Sequence, residues 1–363
     1  MCIEHCKMTT VIHQHVVPKV VIFCKTSKVA SGGNTYHAGG LASNALHTVG
    51  VLRRLGVDAS VQLVAGFDDL KQYMAFNPGV THAIIEAVWV TPVQVKLLSN
   101  IHQQTMFVVR AHSKIGFLQV EPEAIPIIRG IIKLSETQKN VAFSSNNEEF
   151  CDALEEVYGK CVYVPNLYDL DESPPRDASP HAALRIASFG ATRLLKLHPN
   201  AALASLQIAA RLHRPLEFYI NKDKTPGGES VRNTIRNLLN GLPDVSLVEV
   251  DWQDASSFKE TIAKMDLVIQ LSCTETFCLV AADAVASGVP VTTGPAITWL
   301  STKHQTNIDD TSKVAELGIR ALTHSNVVKS QRRCLEKFIN DSIDEWMLLL
   351  GLPKRRRWWH VFW

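Results

Sequence analysis

Short apolar runs alternate with amphipathic stretches along most of this 363-residue chain, and that alternation admits few architectures. It is the signature of β-α-β units built around parallel sheets. Lys19-Val-Val-Ile-Phe-Cys24 is almost uninterrupted in its apolar character, so it reads as a strand covered on both faces. Further strands are expected at Ser60–Val64, Ala83–Val88, Met106–Val109, Val141–Phe143 and Val162–Val164. Helices are expected over Leu41–Leu55, with Gly56 as its stop, near 92–103 and near 147–158. The alternation breaks once, at Asn166–Pro180 (NLYDLDESPPRDASP), which is acidic and holds three prolines, the composition of a linker. It then restarts, with strands at Leu184–Phe189, Leu216–Ile220, Val245–Val250, Leu267–Leu271 and Val289–Thr292. Helices fall over Pro199–Leu212, near 229–239, 255–264 and 277–287, and over Val328–Leu350. The fold class is therefore α/β, with two Rossmann-like, doubly wound domains facing a cleft. The expected bounds are 1–170, a linker over 171–183, a second domain over 184–327, and a terminal helix and tail over 328–363. In such sheets ligands bind at the carboxyl ends of the strands.

Composition narrows the classes of function. Hydrophobic residues make up 46% and charged residues 20%, enough apolar material for two cores. Lysine and arginine number 37 against 35 acidic residues, and a net charge of +2 does not by itself demand a polyanionic partner. No apolar run of about 18 residues occurs. The first residues, MCIEHCKMTTVIHQHVV, lack the apolar core of a secretory signal. Eight scattered cysteines without a CxxC pair suit reduced thiols in the cytoplasm. The group Cys2, His5, Cys6, His13 and His15 matches no common zinc spacing, so no metal site is expected.

The stretch SCTETFCLVAADAVASGVPV, residues 272–291, carries the most chemical information. A strand ends just before it and a helix begins inside it. Glu275 therefore lies in a turn at the carboxyl edge of a strand, with the amides of Thr276, Phe277 and Cys278 near a helix N-terminus, where they can bind hydroxyls or an anion. Asp283 follows eight positions later, two helical turns on, so that both carboxylates can point to one face. The stretch resembles the signature of retaining glycosyltransferases of the GT-B fold, particularly glycosyltransferase family 4. Ser272, Glu275, Phe277, Asp283, Ala284, Ala286, Gly288, Pro290 and Val291 match in register. Cys278 replaces the usual glycine, and Asp283 replaces the usual glutamate.

The resemblance assigns roles elsewhere. The turn after the second domain's first strand holds Arg193 and Lys196, which would bind the donor diphosphate, although they stand three residues apart rather than the commoner five. Gly39-Gly40 before the first helix looks like the family's paired glycines beside the donor phosphates, with Gly32-Gly33 as a competing pair. His112, in Arg110-Ala-His-Ser-Lys114, has two readings: contact with the donor sugar, or a structural strand-end histidine. Val164-Pro-Asn166 resembles the family's Pro-Asn turn, and Asp169-Leu-Asp171 imitates a metal-binding pair inside the linker.

The resemblance implies a retaining enzyme that takes a sugar from a nucleotide-diphosphate sugar, with UDP-glucose as the expected co-substrate and no cofactor. Glu275 would hold sugar hydroxyls and Asp283 the nucleotide ribose. The tail, Lys354, Arg355, Arg356, Arg357, Trp358 and Trp359 onward, suits phosphate contact with base stacking, a membrane or polymer surface, or docking onto the first domain. On that tail rests the expectation of a DNA acceptor carrying hydroxymethylated bases, with a carbohydrate or lipid acceptor as the alternative. A nucleotide-sugar epimerase and an inactive binding protein of the same fold are the remaining readings.

Overall fold

The computed structural model describes residues 17–26, 39–177, 179–222 and 227–354. The first half runs β1 (Lys19–Lys25), α1 (Gly39–Arg54), β2 (Asp58–Val64), α2 (Phe67–Phe76), β3 (His82–Glu86), α3 (Pro92–Ile101), β4 (Met106–Ala111), α4 (Ile115–Leu118), α5 (Ala124–Thr137), β5 (Val141–Ser145), α6 (Glu148–Tyr158) and β6 (Val162–Tyr163). The second half runs β7 (Leu184–Ala187), α7 (His198–Leu212), β8 (Leu216–Lys222), α8 (Gly228–Leu239), β9 (Val245–Asp251), α9 (Ala255–Ala263), β10 (Leu267–Gln270), α10 (Leu279–Ala286), β11 (Val291–Thr293), α11 (Thr311–Thr323) and α12 (Asn326–Leu349).

Among the described residues the strands form two parallel sheets, ordered β2-β1-β3-β4-β5-β6 and β11-β10-β7-β8-β9. Val20 to Phe23 in β1 are fully buried, as an apolar run covered on both faces requires. Each sheet reverses its winding direction once, beside β1 in the first and between β7 and β10 in the second. A crevice opens at such reversals, at the carboxyl ends of the strands.

Local chemistry sets several helix starts. Thr91 closes a capping box with Gln94 ahead of Pro92 in α3. Asn147 caps α6, Asp254 caps α9 and Asp310 caps α11. By contrast α7 and α10 begin after left-handed residues, Leu197 and Cys278, whose own side chains do not cap them.

Three sequence expectations need correction. Gly39 and Gly40 form the first turn of α1 rather than preceding it. Helices α2, α4, α5 and α11 were not expected. Within the proline-rich stretch Leu167, Tyr168 and Asp169 are buried, as residues of the first half rather than of an exposed connection. The Asp169 carboxylate takes a hydrogen bond from Arg54 at 2.5 Å and another from the Asp171 amide, so the Asp-Leu-Asp run is a structural turn.

Helix α12 starts beside the second sheet and ends on the first half of the chain. Its Gln331 side chain bonds both backbone groups of Val291 in β11. The Trp346 indole is fully buried, donates to the Pro165 carbonyl at 2.8 Å and lies 5.5 Å from the Arg110 guanidinium. Beyond Lys354, which is exposed, the tail lies outside the described residues, as do the Cys2–His15 group and Gly32-Gly33.

Candidate active site

A cleft of about 570 Å³ lies between the two sheets, and turns from both halves line it. Gly39, Gly40 and Asn44 of α1 and His112 come from the first half; Arg193, Lys196, Glu275 to Cys278 and Asp283 come from the second. Every donor-site residue expected from sequence therefore reaches one cavity.

The turn after β10 sets Glu275. Its carboxylate accepts from Ser272 Oγ at 2.8 Å and forms an ion pair with Lys196 from the turn after β7. Burial disfavours the Lys196 ammonium, but the Glu275 carboxylate outweighs it, and the pKa lies above the ordinary lysine value. Arg193 lies three residues earlier, its guanidinium 5.0 Å from the Phe117 ring of α4 across the cleft. The turn is pressed from behind by α8: a Cβ on Gly228 would stand 2.8 Å from the Thr192 carbonyl, and Arg232 donates to Thr192 Oγ1. On the other wall Gly39 has φ +54°, and a side chain there or on Gly40 would enter open space.

Cys278 takes the family's glycine position at φ 64°, a left-handed conformation that explains why glycine is usual there. Its thiol packs against Gln270, and burial, with Glu275 nearby, pushes its pKa up to about 12. Because α10 begins only at Leu279, Glu275 and Asp283 do not share a helix face as the spacing suggested; Glu275 precedes the helix, and both line the cleft.

Asp283 is 3% exposed. Its Oδ1 accepts the Tyr168 hydroxyl at 2.7 Å. Burial pushes its carboxyl up to about 7, opposed by the Tyr168 hydrogen bond and the Lys259 ammonium.

His112 belongs to a buried polar network. Arg110 donates to both Glu86 oxygens, to the Val164 carbonyl and to Asn166 Oδ1 at 2.6 Å. Arginine only donates, so the Asn166 atom it meets is the amide oxygen. The Asn44 and Asn146 amide nitrogens must then be the atoms facing that oxygen, at 3.2 and 3.1 Å. The Glu86 carboxylate only accepts, so the His112 ring proton sits on Nε2, and Nδ1 is left as one of three acceptors that the two Asn146 Nδ2 hydrogens face, at 3.2 Å. Burial holds His112 below the ordinary histidine pKa despite Glu86. The ring is thus held through Nε2 by Glu86, with Nδ1 facing Asn146. The network crosses the cleft at Thr276, whose hydroxyl accepts from Asn146 at 3.0 Å and donates to the His112 carbonyl at 3.2 Å.

Sequence reasoning missed Asn44, Asn221, Trp252, Phe258 and Lys259, which also line the cleft, and Tyr168 behind it. Trp252 was the detectable signal, a large aromatic directly after a strand that remains 44% exposed. Among the described residues no cluster of three or more His, Cys, Asp or Glu could hold a metal ion, and no helix is long and apolar enough to cross a membrane.

No family model matches the chain, and no curated protein matches it significantly. Solved structures do. HepE from Anabaena, in complex with UDP and glucose, aligns with a TM-score of 0.63 at 14% identity over 91% of this chain and 99% of its own. The sucrose-phosphate synthase from Thermosynechococcus elongatus aligns at 0.63 and 13% over 92% and 96%. The UDP-forming trehalose-phosphate synthase from Burkholderia xenovorans, in complex with glucose-6-phosphate, aligns at 0.57 and 12% over 80% of each chain. Two parallel sheets, a cleft at their winding reversals and a last helix that returns to the first half together make this a GT-B fold.

Proposed function

We propose that the chain is a retaining glycosyltransferase that moves a hexose from a UDP-sugar, glucose in the first instance, to a carbohydrate hydroxyl. The observation that carries this reading is the Lys196–Glu275 pair, held opposite the Gly39-Gly40 turn in one cleft. The departing diphosphate gains charge in the transition state, and Arg193, Lys196 and the first amides of α1, which line the cleft, would meet it. Glu275 would orient sugar hydroxyls near the reacting carbon, and Asp283 the ribose. Trp252 and Phe258 offer aromatic faces for the base. The acceptor's proton passes to the leaving phosphate on the same face of the sugar, which removes the need for a separate protein base. That fits His112, whose Nε2 is already taken by Glu86.

The carbohydrate acceptor is preferred to DNA on two grounds. Proteins named for sucrose-phosphate and trehalose-phosphate synthesis share the fold, and the net charge of +2 favours no polyanion. The DNA expectation rested mainly on the tail, of which all but Lys354 lies outside the described residues, and on a mildly basic pI. The test is UDP release from UDP-glucose with and without sugar acceptors, with the product anomer read by NMR. A transferase releases UDP, an epimerase interconverts sugars without release, and a binding protein does neither. Glu275→Ala should lower kcat by about 10²–10³ while the fold persists, through loss of a preorganised polar contact; near-normal turnover would remove Glu275 from the site.

A further inference from the structure

We propose that Tyr168, just before the linker, is the positioning residue of the nucleotide site: its hydroxyl fixes one oxygen of Asp283 and presents the other to the ribose of a bound nucleoside diphosphate. This rests on the reading of the cleft as a nucleotide-sugar site. Tyr168 is 1% exposed, one of the largest fully buried side chains among the described residues. Its hydroxyl lies 2.7 Å from Asp283 Oδ1 and 3.0 Å from Ser173 Oγ. A buried phenol needs a partner, and this one spans from linker to α10. Its ring stacks on His47 of α1, with centroids 4.3 Å apart and planes at 24°. Tyr168 therefore touches the linker, the helix that carries Gly39-Gly40 and the acid of the second half. An aspartate in place of glutamate is one methylene shorter, and a short side chain needs its direction fixed if its second oxygen is to reach a ligand.

The charges around Asp283 are few. Lys259 of α9 faces it and also meets Glu172 at 3.4 Å. His47, whose pKa burial lowers to about 3, stays neutral, so its 3.8 Å approach to Glu172 is not an ion pair. Cys278 at the head of α10 is a neutral thiol. From α12, Arg332 donates to the Ala286 carbonyl and to Glu336. The Tyr168 hydroxyl thus gives Asp283 the hydrogen bond that favours its ionised form, the better acceptor for ribose hydroxyls.

The test is UDP binding by calorimetry between pH 5.5 and 9, comparing the native protein with Tyr168→Phe and Asp283→Asn. Tyr168→Phe keeps the ring on His47 and removes only the hydroxyl. Native affinity should rise with pH through a midpoint near the Asp283 value of about 7. Tyr168→Phe should move that midpoint up by about one pH unit and weaken binding about fivefold at pH 7. Asp283→Asn should abolish the step, leaving only the titration of the UDP phosphate common to all three proteins. An unchanged profile in Tyr168→Phe would overturn the inference. So would a loss of affinity equal at every pH with a lowered Tm, which is what a purely structural tyrosine gives. If the native protein bound neither UDP nor any other nucleoside diphosphate, the nucleotide-sugar reading itself would fall.

Discussion

At the residue scale, the site trades stability for a buried charge. The Asp283 carboxyl titrates near 7 in the folded protein and near the ordinary carboxylate value, about 3.9, when unfolded. Between those values the folded state keeps a proton that the unfolded state has released. Stability therefore falls as pH rises from about 4 to 7 and stays reduced above, by at most about 4 kcal/mol at about 1.4 kcal/mol per unit. Asp283→Asn keeps an acceptor for Tyr168 without the charge. It should melt several degrees above the native protein at pH 8, with a smaller gap at pH 5, while losing nucleotide affinity; scanning calorimetry at both pH values checks this, and a gap that does not widen with pH counts against it. Sequence alone identified the acid and its eight-residue spacing from Glu275, because both sit in one contiguous motif. It could not identify Tyr168, Lys259 or Trp252, because their roles arise only when segments 24 to 115 residues apart from Asp283 close around one cleft.

At the element scale, strands were more legible than helices. The apolar runs of β1 and β10 announce themselves, since a parallel strand is covered on both faces. Helices α2 and α11 do not: α2 buries only Leu70 and Met74, and α11 buries Val314, Ala315, Gly318 and Ala321, a stripe of mostly small side chains with a weak period. Close approach between elements was equally hidden. Gly228 sits in the first turn of α8 against the Thr192 carbonyl, and a backbone atom cannot swing aside as a side chain can. Gly228→Ala should push α8 off the turn that carries Arg193. We expect a loss of about 1–3 kcal/mol, the usual cost of overpacking, together with weaker UDP binding. Denaturant melts and calorimetry measure the two effects; full stability with native UDP affinity would show that the turn moves freely with α8.

At the scale of the whole molecule, each sheet has a buried cluster of its own on one face and shares a third with the other half. One buried cluster takes in Ile22 of β1, Phe277 beside the cleft, and Leu335 and Trp346 of α12. The protein should accordingly unfold in a single transition, with calorimetric and van't Hoff enthalpies in agreement. Trp346→Ala removes the indole from Arg110 and from the Pro165 carbonyl. It should cost about 3–5 kcal/mol and split the transition in two as the halves uncouple; a single transition at the native midpoint would refute the shared interior. The same arrangement bears on how the chain is made. Arg110 leaves the ribosome long before Trp346, and at about 5–20 residues per second the delay is roughly 10–50 s. For that interval the nascent first half carries a guanidinium and a Pro165 carbonyl whose aromatic partner has not yet been synthesised. Until translation reaches α12, that surface of the first half lacks the cover that Trp346 gives it in the folded protein.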